Sequence, residues 1–140
     1  MITLRPYSPN DHRQILAILK ESGMGPYENW DDLDNYASIV KLDNENILVA
    51  QDDAEIIGVV LLTFFGSKVA WIFRLAVKEA YREKGIGSKL IEEAEKIVRK
   101  KGVKELGLYA NASNMKLQSF YKKRKYKTFG KEYIYMWKLM

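Results

Sequence analysis

The residues best suited to chemistry form a short basic turn, Arg82-Glu83-Lys84-Gly85-Ile86-Gly87. Its glycines lack a Cβ atom, so the backbone can curl there and a ligand can approach closely. Two cationic side chains stand beside them. A helix starting at this turn would also direct backbone N–H groups and the positive end of its dipole outward. The combination favours phosphate binding, although a simple cationic turn before a surface helix remains the alternative.

Two predicted elements flank this turn. The β-branched and aromatic run Trp71–Val77 predicts a buried strand. After the turn, apolar residues recur at the helical period and predict an amphipathic helix that ends near Gly102: Ile86, Leu90, Ile91, Ala94, Ile97 and Val98. The Walker pattern is absent, and the dinucleotide fingerprint would need glycine in place of Leu90. The two commonest phosphate loops are therefore excluded.

The rest of the chain alternates between helical and strand patterns within what we expect to be one domain, residues 1–140. Predicted helices begin at the N-cap Ser8, near Asp31 and at Asn114. The predicted strands are residues 2–5, 46–51, 55–65, 69–77, 104–110, 126–129 and 132–139, the last two forming a hairpin.

The basic turn resembles the Arg/Gln-x-x-Gly-x-Gly/Ala pyrophosphate loop of the GNAT superfamily of N-acetyltransferases, and the element order resembles that of the GNAT fold. A second segment, NMKLQSFYKKRKY, resembles the family's Asn-x-x-Ala-x-x-x-Tyr-x-x-x-Gly-Phe motif through Asn114 and Tyr121. In that segment Leu117 replaces Ala, and Lys125-Tyr126 replaces Gly-Phe, so the usual left-handed glycine is missing. The resemblance implies a single-domain α+β GNAT fold: a mixed, mostly antiparallel central sheet flanked by helices, with splayed central strands.

The resemblance also implies acetyl transfer from acetyl-CoA to a primary amine. The residues expected to bind the cofactor are Leu75, Ala76, Val77, Arg82, Glu83, Lys84, Gly85, Ile86, Gly87, Ser88, Asn114 and Tyr121. With no cysteine available, direct transfer in a ternary complex is the simpler mechanism. Tyr121 resembles the family's tyrosine general acid; its alternative role is that of a core tyrosine.

The acceptor amine is expected to meet the segment between the first two helices, which carries Tyr27, Glu28, Trp30 and Asp31. Carboxylates and aromatic faces attract a cation, so we expect a cationic small molecule or a peptide or protein amine. The alternative is that these acids only stabilise a helix N-terminus. No general base stands out: Glu79, Glu28, Asp31 and a water chain are all open.

Composition and charge limit the other function classes. The chain has no cysteine and one histidine, which excludes thiolate and multi-histidine metal sites. Residues 1–70 carry 5 Lys/Arg against 11 Asp/Glu, and residues 71–140 carry 18 against 7. The basic half coincides with the phosphate turn, so coenzyme A explains it better than nucleic acid does. A non-catalytic acyl-CoA-binding or regulatory module is the other alternative. We expect a cytoplasmic protein without a membrane partner, and the sequence leaves both monomer and homodimer open.

Overall fold

The computed structural model describes residues 1–140 as two compact units, residues 1–109 and 110–140. The first unit contains all of the strands: β1 (Ile2–Pro6), β2 (Ile47–Asp52), β3 (Glu55–Phe65), β4 (Val69–Val77) and β5 (Glu105–Leu108). It also contains three helices, α1 (His12–Glu21), α2 (Leu33–Leu42) and α3 (Ile86–Lys100). The second unit contains one helix, α4 (Met115–Lys122).

The five strands form one sheet in the order β1-β2-β3-β4-β5. The first three pairings are antiparallel, and β5 runs parallel to β4. The parallel pairing is possible because α3 lies between β4 and β5 in the chain and provides the crossover that parallel neighbours need. The predicted α+β fold with a mixed, mostly antiparallel sheet is confirmed.

Alternating side chains of β3 are buried on the two faces of the sheet. On one face, Val59 and Leu61 belong to the core cluster that includes Ile15 and Leu19 of α1 and Tyr36 of α2. On the other face, α3 approaches Gly58 so closely that an added Cβ would lie 3.0 Å from the Leu90 side chain. A glycine at this position therefore lets α3 lie close to the sheet.

The pairing between β4 and β5 is short. It runs from Val69 opposite Glu105 to Ile72 opposite Leu108, where β5 ends. The sequence had predicted a longer β5, over residues 104–110. Because β4 continues to Val77, its last five residues have no strand on that side. The expected separation of the central strands is thus present as an open edge along the C-terminal half of β4.

The predicted C-terminal hairpin is wrong. Neither residues 126–129 nor residues 132–139 form a strand. Apart from Tyr126, which is half-buried, their apolar and aromatic side chains are exposed, among them Phe129 and Trp137. A β-prone segment becomes a strand only when another strand supplies hydrogen-bonding partners, and the unit formed by residues 110–140 contains none. Side-chain alternation indicated the strand propensity of this segment but did not indicate whether another strand would pair with it.

Candidate cofactor and acceptor site

The open edge of β4 presents backbone hydrogen-bonding groups of two residues named by the sequence. The Lys78 N–H donates to the Ile57 carbonyl at 2.8 Å, which makes these two residues a hydrogen-bonded antiparallel pair. Such pairs alternate along a ladder, so Ala76 also turns its polar backbone groups toward β3. The groups of Leu75 and Val77 therefore point the other way, to the edge without a neighbouring strand. An extended ligand can pair there as an added strand would.

The basic turn has the backbone geometry expected of a phosphate loop. Gly85 caps the start of α3 with φ of 82°, and Glu83 also has positive φ, 63°. The N-cap residue Gly85 has no side chain to cap this helix start, and the N–H groups of Ile86 and Gly87 have no acceptor within the helix. An anion placed at this end would meet backbone donors and the positive end of the helix dipole.

Arg82 connects this turn with the end of β4. Its Nε donates to the Val77 carbonyl at 3.0 Å, and its Nη2 donates to Ser22 Oγ at 3.1 Å. The Lys84 ammonium lies 5.5 Å from the centre of the Tyr81 ring. The turn therefore places cationic groups beside the strand edge that exposes Leu75 and Val77. These two features together fit a cofactor that has an extended arm and a phosphate group.

The segment between α1 and α2 that carries Tyr27, Glu28, Trp30 and Asp31 is here named the acceptor segment. In it Asp31 is buried, whereas the sequence suggested an accessible carboxylate. Its residue surface is only 3% exposed, and its carboxylate forms a salt bridge with Arg74, which is 8% exposed. Arg74 donates from Nε to Oδ1 at 3.1 Å and from Nη2 to Oδ2 at 2.8 Å. The Tyr36 hydroxyl donates to Oδ1, and the Tyr27 N–H donates to Oδ2. This saturated, buried carboxylate is unsuited to the acceptor-binding or basic role that the sequence suggested for it.

The hydrogen bonds around Asp31 also govern its ionisation. Burial tends to raise the pKa of the Asp31 carboxyl, but the donors from Arg74, Tyr27 and Tyr36, together with the charge of Arg74, bring the pKa below its usual value. Burial, followed by the nearby Asp31 charge, raises the pKa of the Tyr36 phenol far above its usual value. The carboxylate therefore stays ionised and the phenol protonated throughout the neutral range.

The remaining predicted acceptor residues lie closer to solvent. Tyr27 is 51% exposed, and Glu28 is exposed beside it. The Trp30 ring lies 5.2 Å from Tyr27 and 5.5 Å from Phe73 of β4, measured between ring centres. The acid that follows Asp31, Asp32, accepts a hydrogen bond from Asn35 N–H and caps α2. Helix stabilisation thus accounts for Asp32, which leaves Glu28 as the exposed acid beside the aromatic residues.

Sequence reasoning missed the role of Arg74. A signal for its burial was available. Side chains alternate between the two faces of a strand, and Arg74 lies on the same face of β4 as the buried residues Ile72 and Ala76. A buried arginine requires a carboxylate partner, but the pattern did not identify which acid of the chain it would be.

In the second unit, Asn114 and Tyr121 occupy the two ends of α4. The Asn114 side chain accepts a hydrogen bond from Leu117 N–H and so acts as the N-cap. At the other end, Lys125 N–H donates to Lys122 O, and Tyr126 N–H donates to Tyr121 O. These bonds form a Schellman motif. Lys125 adopts its left-handed position, with φ of 70°, where the family pattern has glycine.

Tyr121 is the only buried residue of the second unit. Its ring contacts those of Phe120 and Tyr126 edge-on. Burial raises the pKa of the Tyr121 phenol to about 12, although nearby Arg124 acts in the opposite direction. The hydroxyl is therefore protonated at neutral pH and can donate a hydrogen bond.

The family model described as "Acetyltransferase (GNAT) family" matches residues 12–126 of this chain. The chain belongs to the GNAT family. Spermidine N(1)-acetyltransferase of Thermoplasma acidophilum is 32% identical to this acetyltransferase over 155 residues, covering 95% of this chain and 94% of the relative. N-alpha-acetyltransferase 30 of Schizosaccharomyces pombe is 26% identical over 139 residues, covering 96% and 90%.

A solved structure is similar as well. The PaiA N-acetyltransferase of Thermoplasma acidophilum, crystallised with coenzyme A, has a TM-score of 0.76 and 28% identity, covering 89% of this chain and 88% of the other. This protein is accordingly an N-acetyltransferase that uses acetyl-CoA, and the prediction of enzyme class and cofactor is confirmed. None of its helices combines the length and the apolar character needed to cross a bilayer.

Proposed function

We propose that this acetyltransferase transfers the acetyl group directly to a primary amine of a cationic acceptor, with a polyamine as the first candidate. The contact between Trp30 and Phe73 carries this proposal. It places the exposed acidic and aromatic segment Tyr27–Trp30 next to β4. A cation attracted by Glu28 would consequently approach the strand whose free edge suits the cofactor.

The similarity to spermidine N(1)-acetyltransferase supports a polyamine acceptor, because the match covers nearly all of both chains. The similarity to N-alpha-acetyltransferase 30 favours a second candidate, the amino group at the N-terminus of a peptide. The two candidate acceptors differ in the positive charge that they retain when the reacting amine is neutral. A polyamine retains further ammonium groups after its reacting amine has lost a proton, whereas a peptide with neutral side chains retains none.

For acetyl-CoA, we propose that Leu75 and Val77 pair with the extended arm through their backbone groups, in the manner of strand addition. The backbone N–H groups from Gly85 to Ser88 would hold the pyrophosphate, with Arg82 and Lys84 adding positive charge. When bound, the thioester supplies an activated acetyl group. A backbone N–H near Val77 would stabilise the oxyanion that develops on its carbonyl.

Direct transfer requires two proton movements, one at the amine and one at the departing thiolate. A thiol has a pKa near ~8.5 and a phenol near ~10 in the absence of a protein environment. Because burial raises the pKa of Tyr121 to about 12, complete proton transfer to a thiolate is unfavourable. We therefore propose that Tyr121 assists departure mainly by donating a hydrogen bond to the thiolate, which afterwards takes its proton from water. Asn114 would hold the N-terminal end of the helix that carries Tyr121.

The amine must lose its proton before it attacks, since an alkylammonium has a pKa near ~10.4. The salt bridge with Arg74 removes Asp31 from the candidate bases. Glu28 and Glu79 are exposed, and water in the open edge is the third candidate. We favour loss of the amine proton through water to the bulk solvent before the attack, with Glu28 attracting the ammonium form of the acceptor.

The family match runs from residue 12 to residue 126 and so includes residues of both compact units. We propose on this basis that residues 1–140 act as one acetyltransferase domain.

A charge-removal experiment tests the acceptor proposal. We expect Glu28→Gln to raise the KM for spermidine about two- to fivefold, the range typical of one exposed ion pair, with CoA affinity unchanged. The wild-type KM should rise with salt, because screening weakens attraction between exposed charges. Glu92→Gln removes an exposed charge from the outer surface of α3 and is the matched control.

A primary amine of low pKa, which is uncharged at the assay pH, serves as the second substrate in the same assay. Its KM should be the same for wild type and Glu28→Gln. Equal KM values for spermidine in all three proteins would contradict a role for Glu28 in acceptor binding. Faster turnover of an uncharged peptide than of spermidine would favour the peptide N-terminus as acceptor.

A further inference from the structure

The buried pair of Arg74 and Asp31 joins two parts of the chain that have different tasks. Arg74 lies on β4, immediately before Leu75, whose backbone faces the open edge. Asp31 ends the segment that carries Tyr27, Glu28 and Trp30. The two residues are 43 positions apart and are joined by two hydrogen bonds from a single guanidinium. A paired contact of this kind fixes orientation as well as distance.

Asp31 is also attached to the remaining elements around the segment. Its carboxylate accepts from the Tyr27 N–H at 3.0 Å, inside the segment, and from the Tyr36 hydroxyl of α2 at 3.0 Å. Its backbone carbonyl lies 2.8 Å from Nε2 of His12 in α1. A carbonyl can only accept, so Nε2 donates; if His12 is neutral, Nδ1 accepts from the Tyr7 hydroxyl, 2.9 Å away. The segment is therefore tied to α1, α2 and β4 through one residue.

Aromatic rings surround the arginine on the solvent side. Its guanidinium carbon lies 5.6 Å from the centre of Tyr27, 5.4 Å from Trp30 and 6.0 Å from Phe73. These contacts combine cation–π attraction with exclusion of water from the ion pair. They also make the position of the rings dependent on Arg74.

Stability alone does not account for such an arrangement. Replacing a buried ion pair with apolar residues of similar volume is often neutral or stabilising, because removing both charges from water is costly. The pair does, however, impose one geometry, since a guanidinium fork fits a carboxylate in a defined orientation.

We propose that Arg74 and Asp31 are a positioning pair, which holds the acceptor segment in register with the cofactor-binding edge of β4. The pair touches neither reactant. It sets the distance between an amine bound at the segment and an acetyl group held near Val77, and displacements of about 1 Å can reduce a rate about 100-fold. This inference rests on the proposed acceptor site.

The test compares two lysine substitutions. Arg74→Lys keeps the positive charge but loses the guanidinium, which donates from two nitrogens to the Asp31 carboxylate. Arg5→Lys is the matched control, because Arg5 also binds a buried carboxylate through two nitrogens, both at 2.8 Å from Asp11, and contacts neither the segment nor β4. We expect Arg74→Lys to lower kcat with spermidine about 10- to 100-fold while CoA affinity, measured by calorimetry, stays within twofold. Arg5→Lys should leave kcat unchanged at temperatures below both melting transitions.

A second measurement does not depend on catalysis. Amide hydrogen exchange of residues 23–32 should accelerate at least tenfold in Arg74→Lys and remain at the wild-type rate in Arg5→Lys. Unchanged exchange in Arg74→Lys would overturn the proposal, and so would a fall in CoA affinity as large as the fall in kcat. If wild type acetylates no cationic amine, the proposed acceptor class fails, but the exchange comparison still decides whether the pair holds the segment.

Discussion

The two compact units differ in how their apolar residues are used. Residues 1–109 bury side chains on both faces of a five-stranded sheet, whereas residues 110–140 bury Tyr121 alone. Both units contain residues of the family's cofactor motifs. The first builds its part of the motif on strands and a long helix, and the second builds its part on an eight-residue helix with caps at both ends. The difference teaches that a residue of a family motif can be held in place by a hydrophobic core or by local hydrogen bonds.

The two units should therefore be destabilised by different kinds of substitution. In the first unit, the free energy of unfolding should depend on buried pairs and close packing. In the second, where α4 is short, its two ends should matter most.

Two adjacent acids in the first unit should respond very differently to the same substitution. Asp31→Asn leaves Arg74 buried without its charge partner, so we expect the free energy of unfolding at pH 7 to fall by about 3–5 kcal/mol. Asp32→Asn should have almost no effect, because asparagine is an equally good N-cap. Urea unfolding measures both variants. A loss below 1 kcal/mol for Asp31→Asn would show that solvent reaches the pair.

Acid should reduce the difference between wild type and Asp31→Asn. The pKa of the Asp31 carboxyl is lower in the folded protein than in the unfolded chain. Its stabilisation is therefore fully present above the unfolded pKa, near ~3.9, and is lost as the pH falls through the folded pKa. A difference that stays constant down to the folded pKa would contradict this assignment.

The second prediction concerns cofactor binding by the first unit. Gly87→Glu places a carboxylate in the first turn of α3, where it is favourable for the helix dipole but repels phosphate. We expect the melting temperature to be retained while calorimetric CoA affinity falls by more than about 100-fold, because placing like charges together costs several kcal/mol. Gly87→Ala adds a methyl group without charge and is the control. Similar losses of affinity in both variants would indicate a steric effect and not an electrostatic one.

Part of this architecture could be predicted from the sequence because it depends on local pattern. The strand Trp71–Val77, the amphipathic α3 and the glycine turn between them all follow from periodicity and from the special backbone freedom of glycine. The pairing of Arg74 with Asp31 could not be predicted in the same way. It joins residues 43 positions apart, and no local signal states which of the segment's acids turns inward.

The C-terminal hairpin shows the opposite failure. Residues 132–139 have strong strand propensity, yet no strand of the second unit pairs with them. The absence of glycine after α4 was in contrast a useful signal. It singled out Lys125, and the structure shows the usual turn with Lys125 in the left-handed conformation.

The third prediction concerns the hydroxyl group of Tyr121. We expect Tyr121→Phe to lower kcat about 100-fold, the loss typical when one hydrogen-bond donor to developing charge is removed. CoA affinity and the melting temperature should change little, because the ring remains buried. Tyr133→Phe, which removes a hydroxyl from an exposed ring, is the control. If both variants keep the wild-type kcat under conditions where chemistry limits the rate, Tyr121 is a packing residue only.

The smallest expected effect comes from the turn after α4. Lys125 has φ of 70°, a conformation that costs a residue with a side chain about 1–2 kcal/mol. Lys125→Gly removes this cost but gives the unfolded chain about 0.4–1 kcal/mol more conformational entropy. The net stabilisation should therefore be about 0.5–1 kcal/mol.

Hydrogen exchange of the Tyr126 amide reports this stabilisation locally, because its N–H donates to Tyr121 O across the turn. We expect exchange in Lys125→Gly to slow about two- to fivefold, which corresponds to the net value above. Lys122→Gly is the same substitution placed inside α4. It should instead accelerate hydrogen exchange of the Tyr126 amide, since glycine disfavours a helix by about 1 kcal/mol. Opposite signs at two positions three residues apart would show that backbone conformation, and not loss of a lysine charge, determines the stability of the second unit. Acceleration in both variants would mean that the Lys125 side chain stabilises this turn by more than its conformation costs.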